Sequence, residues 1–304
     1  MTGCNRHLHE SGAAEATSII MPIAGTQSRR NDGIEAAVLM RAWRHHWPEY
    51  LTEAAGLGLF MLVAGLCVLL LEHPASSLSH AIPNADFRRA LIGIVMGMTA
   101  VAIIYSPWGR QSGAHLNPAV TLSFLRLGKV APADALFCVL AQFAGGAAGT
   151  LMLSALLGDR FTLPPISAVA TLPGRAGEIV AFGAEVVIAF VLMSTVLTTN
   201  ASPRLMRCTG LCAGLLVAIY ITIEAPLSGM SLNPARSVAS ALPSGLWHGI
   251  WIYLTAPLIG MLLAAELHLR LGQRTPCAKL HHVTNRRCIF HCDFAAMPAE
   301  EISR

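Results

Sequence analysis

The chain has 304 residues, 54% of them hydrophobic and 12% charged, with a mean hydropathy of +0.56. A soluble domain carries about 25% charged residues, so one large globular domain in water fits poorly and a multi-span membrane protein fits well. The net charge of +4 is modest and the basic residues sit at segment ends, which argues against a nucleic-acid partner.

Residues 1–47 mix charge, Gly and Ser without helical periodicity and are expected to form a disordered N-terminal tail. No secretory signal is visible there, because Glu10, Glu15, Arg29 and Arg30 precede the first long apolar run; the first span is expected to act as its own insertion signal. A bilayer core about 30 Å thick needs roughly 20 apolar helical residues. Six segments qualify: 51–71, 90–106, 133–157, 179–199, 208–223 and 247–269. Two further apolar runs, 119–127 and 235–242, reach only about half that depth at 1.5 Å per residue. Irregular backbone is tolerated at membrane depth only inside protein or beside a watery cavity, so these runs read as re-entrant half-helices. The expected fold is an all-α membrane protein with six spans and two half-helices over residues 48–269.

Arg41, Arg44, Arg126, Lys129, Arg204, Arg207, Arg270 and Arg274 fall on one side of such a bundle, against Arg88, Arg89, Arg160 and Arg175 on the other. The positive-inside rule then puts both termini in the cytoplasm. Cys67, Cys138, Cys208 and Cys212 lie in apolar runs and read as small hydrophobes rather than a disulfide framework. The C-terminal tail, 270–304, holds Cys277, His281, His282, Cys288, His291 and Cys292. Such residues can ligate zinc, but their spacing fits no standard pattern well. A solvated tail is expected, with no metal and no cofactor.

The most informative feature is a repeat. Ser112-Gly113-Ala114-His115-Leu116-Asn117-Pro118-Ala119 returns as Ser228-Gly229-Met230-Ser231-Leu232-Asn233-Pro234-Ala235, with six of eight positions identical. A spanning segment upstream of each copy carries one carboxylate, Glu53 or Glu185. Three spans per half is an odd number, so the halves, about 51–157 and 179–269, run in opposite directions: an inverted repeat. The two Asn-Pro-Ala turns then face each other near the midplane. Asn is a good helix N-cap and Pro a good first helical residue. With its oxygen capping, each Asn amide NH2 is expected to point into a pore. Both half-helices also aim their positive ends there. Arg236 opposes the dipole of its own first turn and is costly at membrane depth, so it argues for function. Gly93/Gly97 and Gly145/Gly149 read as close helix contacts.

Paired Asn-Pro-Ala motifs at mirrored places in a six-span chain resemble the aquaporin and aquaglyceroporin (major intrinsic protein) family, in a bacterial-type member. The resemblance covers about residues 50–269 and includes Asn233-Pro234-Ala235-Arg236-Ser237. It implies a passive channel for water, small neutral solutes such as glycerol, ammonia or hydrogen peroxide, or both, which excludes ions and protons and is not an enzyme. It further implies a homotetramer in the lipid of an inner or plasma membrane. Asn117, Pro118, Ala119, Asn233, Pro234 and Ala235 would form the central pore and Arg236 the outer constriction. The remaining filter positions would be Ile221, Met230, and either Met96 or Gly97, with His115 at a pore mouth. Glu53 and Glu185, which alone would suggest ion or proton sites, become acceptors for loop N–H groups, with Gln142 in a similar supporting role. Ser237 and Tyr253 follow the water-channel type and Leu254 the glycerol type, so the solute signals conflict. An alternating-access transporter also uses inverted repeats and broken helices, and Glu224 is the one unassigned intramembrane acid available to it. An intramembrane enzyme lacks a nucleophile–base pair in the spans.

Overall fold

A computed structural model of the chain describes residues 24–282 and 287–296. The chain divides into a unit of residues 1–41, of which only the start of one helix is described, and a unit of residues 42–304. In chain order the main helices are α1 (Ala24–Glu72), α2 (Ala85–Tyr105), α3 (Pro118–Arg126), α4 (Pro132–Leu157), α5 (Glu178–Ala201), α6 (Thr209–Ile223), α7 (Pro234–Ser244) and α8 (Ile250–Arg270). Six are long and apolar enough to cross a membrane, α6 together with a turn from Met206. The nine residues of α3 and eleven of α7 span about 13–17 Å, half a bilayer. The expected fold class therefore holds, with no strand among the described residues.

Two boundaries differ from expectation for physical reasons. Residues 24–47, expected to be disordered, belong to α1; Glu35, Ala36, Ala37, Leu39 and Met40 are good helix formers that need no apolar periodicity. Residues 1–23 of that expected tail lie outside the described residues. α2 begins five residues before the apolar run, capped by the Asn84 side chain, which accepts the Phe87 N–H at 2.9 Å. Its first turn carries Arg88, which pairs with Glu72 at the end of α1 (2.9 Å).

Only 28–44% of the most apolar part of each span is buried within the chain. Leu156, Ile179 and Ile223 are among the apolar side chains left outside. An exposed apolar surface of that extent is lipid-facing rather than watery. Exposed tryptophans mark its two edges: Trp43, Trp47 and Trp108 at one, Trp247 and Trp251 at the other, as expected of interfacial anchors.

Close helix pairs build the bundle. α2 packs on α6, α5 on α8, and the half-helices cross over: α3 leans on α8 of the other repeat and α7 on α4. At Gly97 a Cβ would sit 2.4 Å from the Gly214 carbonyl of α6, and at Gly145 one would sit 2.0 Å from that of Ala54 in α1. Both places need glycine because backbone meets backbone.

Candidate functional site

The half-helix loops owe their shape to repeated backbone strain. Gly113, Ala114 and Leu116 have φ of 105°, 55° and 51°; Gly229, Met230 and Leu232 have 82°, 51° and 58°. Left-handed backbone disfavours a non-glycine residue by about 1–2 kcal/mol, so something must hold it. In the first loop Glu53 accepts the N–H of His115 (3.1 Å) and of Leu116 (2.6 Å), and the Gln142 amide (2.9 Å). In the second, Glu185 accepts the N–H of Ser231 (2.6 Å) and Leu232 (2.8 Å) and the Ser228 hydroxyl (2.8 Å). Both carboxylates are fully buried, and their backbone partners match across the repeat, His115 with Ser231 and Leu116 with Leu232, while the third partner differs.

Each Asn then links the halves. The Asn117 oxygen caps α3 by accepting the Ala119 N–H (2.9 Å), and the Asn233 oxygen caps α7 through Ala235 (3.0 Å) and Arg236 (3.3 Å). The Asn117 amide donates to the Leu232 carbonyl and the Asn233 amide to that of Leu116, both at 2.7 Å. This corrects the expectation that both NH2 groups serve the pore alone. One N–H of each is spent on the reciprocal cross-link, which leaves one per Asn for a solute.

A cavity of about 290 Å3 passes both asparagines and Arg236. Its walls are otherwise largely apolar, with Met96, Ile221 and Met230 among them. Of Met96 and Gly97, Met96 faces the cavity, whereas Gly97 faces the α6 backbone. Gly97 is a packing contact. The Arg236 guanidinium donates to the Thr171 hydroxyl, which lies 3.0 Å from Ser237 Oγ, itself 2.5 Å from Ser231 Oγ. Sequence reasoning missed Thr171, since only the fold brings the 163–177 connection over α7. Ser237 and Tyr253, whose hydroxyl donates to the Ser228 carbonyl at 2.5 Å, sit behind the loop and do not line the cavity.

His115, expected at a pore mouth, is in the cavity wall. It is buried, within reach of Thr121 Oγ1 (3.1 Å), and its Nε2 donates to the Ala278 carbonyl (2.8 Å). Its ring stacks between Phe124 and Phe290 at 5.1 and 5.2 Å. The tail expected to be solvated is thus docked on the bundle: Cys277, Ala278, Lys279 and Leu280 are buried, and Leu280 lines the cavity. The apolar residues Leu280, Ile289 and Phe290 were the available sequence signal for this. The described pore carries no cluster of metal-ligating side chains; four such residues converge instead in the tail.

Six spans, an inverted repeat and two half-helices meeting head to head on one cavity define a membrane channel. The Major intrinsic protein family model matches residues 38–268, and the chain belongs to that family, whose members are channels rather than enzymes. It is 30% identical to Aquaporin NIP1-4 of Oryza sativa subsp. japonica over 202 residues, 66% of this chain and 68% of that one. It is 31% identical to Aquaporin NIP1-2 of Arabidopsis thaliana over 216 residues, 70% of each. A solved aquaglyceroporin from Plasmodium falciparum superposes with a TM-score of 0.59 at 20% identity, covering 73% of this chain and 95% of its own, a likeness of fold. The Oryza and Arabidopsis relatives are plant proteins, and the bacterial-type expectation finds no support.

Proposed function

We propose that the chain is a passive, single-file channel for water and small neutral solutes, weakly discriminating among them. The observation that carries this is the cavity wall: two symmetry-related amide donors and the Arg236 guanidinium beside Met96, Ile221 and Met230, with a second guanidinium, Arg89, held by the Thr222 carbonyl and Asp86. A solute sheds much of its hydration beside Arg236, then accepts hydrogen bonds from Asn117 and Asn233. Central donors turn each water's oxygen toward them and break a proton-conducting chain. The positive ends of α3 and α7 add a barrier to cations. Glu53 and Glu185 serve as scaffold acceptors.

The assembly is a homotetramer in an inner or plasma membrane with both termini cytoplasmic, where the larger share of Lys and Arg lies. A proton-coupled alternating-access carrier needs a free titrating group on the solute path; His115 lines the cavity, but its two ring nitrogens are engaged by Thr121 and the Ala278 carbonyl. Glu224 is buried and has no hydrogen-bond partner among the described residues, but it does not line the cavity. The test is a proteoliposome panel of water, glycerol, urea, ammonia and hydrogen peroxide. Fast water flux with every other solute excluded overturns weak discrimination, and saturable flux favours the carrier.

A further inference from the structure

The tail brings together four side chains from a stretch of 16 residues. Cys277, His282, Cys288 and Cys292 offer ligand atoms that all lie within 4.8 Å of one another. Cys277 Sγ is 3.6 Å from Cys288 Sγ, and Cys292 Sγ is 3.2 Å from His282 Nε2. Zinc held tetrahedrally at about 2.3 Å from sulfur and 2.0 Å from nitrogen separates its ligand atoms by about 3.5–3.8 Å. The cysteines are free. The structure also chooses among the six candidates of the sequence. His281 packs tilted against Tyr105 at 4.6 Å, outside the cluster, and His291 lies 2.7 Å from the Gly128 carbonyl.

The surroundings suit a metal. Three thiolates on a dication leave one net negative charge, and Lys279 beside them is fully buried. Its backbone N–H lies 3.5 Å from Cys277 Sγ, and its ammonium donates to the carbonyls of Arg110 (2.9 Å) and Arg287 (2.8 Å). No carboxylate pairs with it among the described residues. A buried ammonium needs a counter-charge, and a zinc tris-thiolate centre supplies one.

The same segment reaches one end of the cavity. Leu280 donates its N–H to the Gly113 carbonyl (3.1 Å) and lines the cavity wall. Asn200 holds the carbonyl of Cys277 (2.9 Å), and Lys129 holds Asp293 (2.8 Å). The first residue of the cluster is thus fixed on α5 and the residue just after its last on the turn following α3.

We propose that Cys277, His282, Cys288 and Cys292 form a zinc site that folds the tail into a plug on the end of the pore at which α8 ends. The plug rests on the channel reading; the metal site does not. The experiment therefore reads metal and flux separately on the full-length protein. Elemental analysis of protein purified with equimolar zinc should give one zinc per chain in wild type and in His281→Ala. The metal should be lost from the Cys288→Ser/Cys292→Ser double variant and held more weakly by His282→Ala. Zinc absent from wild type, zinc retained by the double variant, or a Cys277–Cys288 disulfide found under non-reducing mass spectrometry overturns the site. In proteoliposomes, water flux should rise severalfold when a membrane-permeant chelator strips wild type, and the double variant should match the stripped protein. Equal flux with and without zinc overturns the plug. No flux from any form, with the zinc stoichiometry intact, overturns the channel reading and leaves the site standing.

Discussion

Replacing Glu185 by Leu tests whether this carboxylate holds the second loop or acts on a solute. In the wild type it accepts two buried backbone N–H groups, those of Ser231 and Leu232, and the Ser228 hydroxyl. Ser228 still accepts the Met230 N–H at 3.0 Å and can turn its proton elsewhere, so it adds little. The two stranded N–H groups cost about 1–3 kcal/mol each, or about 2–6 kcal/mol together. Met230 and Leu232 would also be released from positive φ, so the loop relaxes away and takes the Asn233 cross-link with it. A loss of that size lowers the melting temperature on the order of 10 °C. Glu185→Gln, which keeps one acceptor oxygen but turns an NH2 toward the other donor, should fall between. The assay is thermal unfolding of detergent-purified protein beside flux in proteoliposomes. A Glu185→Leu protein that melts with wild type yet conducts nothing would refute the scaffold argument and make Glu185 a transport carboxylate.

Three further outcomes follow from the same geometry. Asn233→Asp and Arg236→Val should insert normally but raise proton or cation conductance, read as dissipation of an imposed pH or potassium gradient; two ion-tight variants would remove both residues from the barrier. Met96→Ala should leave yield unchanged and increase glycerol flux relative to water. Gly97→Leu should reduce folded yield instead, because its side chain meets the Gly214 carbonyl; the reverse pattern would exchange their roles. Ile221→His narrows the cavity and adds a polar contact, so it should reduce glycerol and urea flux more than water flux in the same stopped-flow panel.

The spans, the half-helices and the inverted repeat were legible because each is local: hydropathy, length, and eight residues that recur. Asn117 and Asn233 were legible as caps for the same reason. What escaped the sequence was the second job of a group whose first job was plain. Each Asn amide also ties its loop to a carbonyl 115 or 117 residues away, and no spacing encodes that pairing. Met96 and Gly97 are neighbours on one helix, and only the angle at which α2 meets α6 decides which faces the cavity. The tail was misread because its apolar residues are few and scattered. Its burial comes from surfaces that α3, α5 and the loop before Asn117 assemble together.

The conflict among the solute signals dissolves once the residues are placed. Ser237 and Tyr253 look water-like, but neither touches the cavity: Ser237 bonds to Thr171 and Ser231, Tyr253 to the Ser228 carbonyl. They fix where the Arg236 loop stands rather than what passes it. The side chains a solute meets beside Arg236 are Met96, Ile221 and Met230. Two of these are unbranched thioethers that repack around guests of different shape, and none replaces a lost hydrogen bond. A site that rejects a close analogue sharply does so by leaving its own buried polar groups unpaired. Arg89, His115 and Ser231 on the same wall are already hydrogen-bonded, which leaves the Arg236 guanidinium and the two spare amide N–H groups to do that, and a hydroxyl, an amine or a peroxide satisfies them as water does. Charge is therefore excluded strongly, by the dipoles and by desolvation, while neutral solutes are sorted mainly by width.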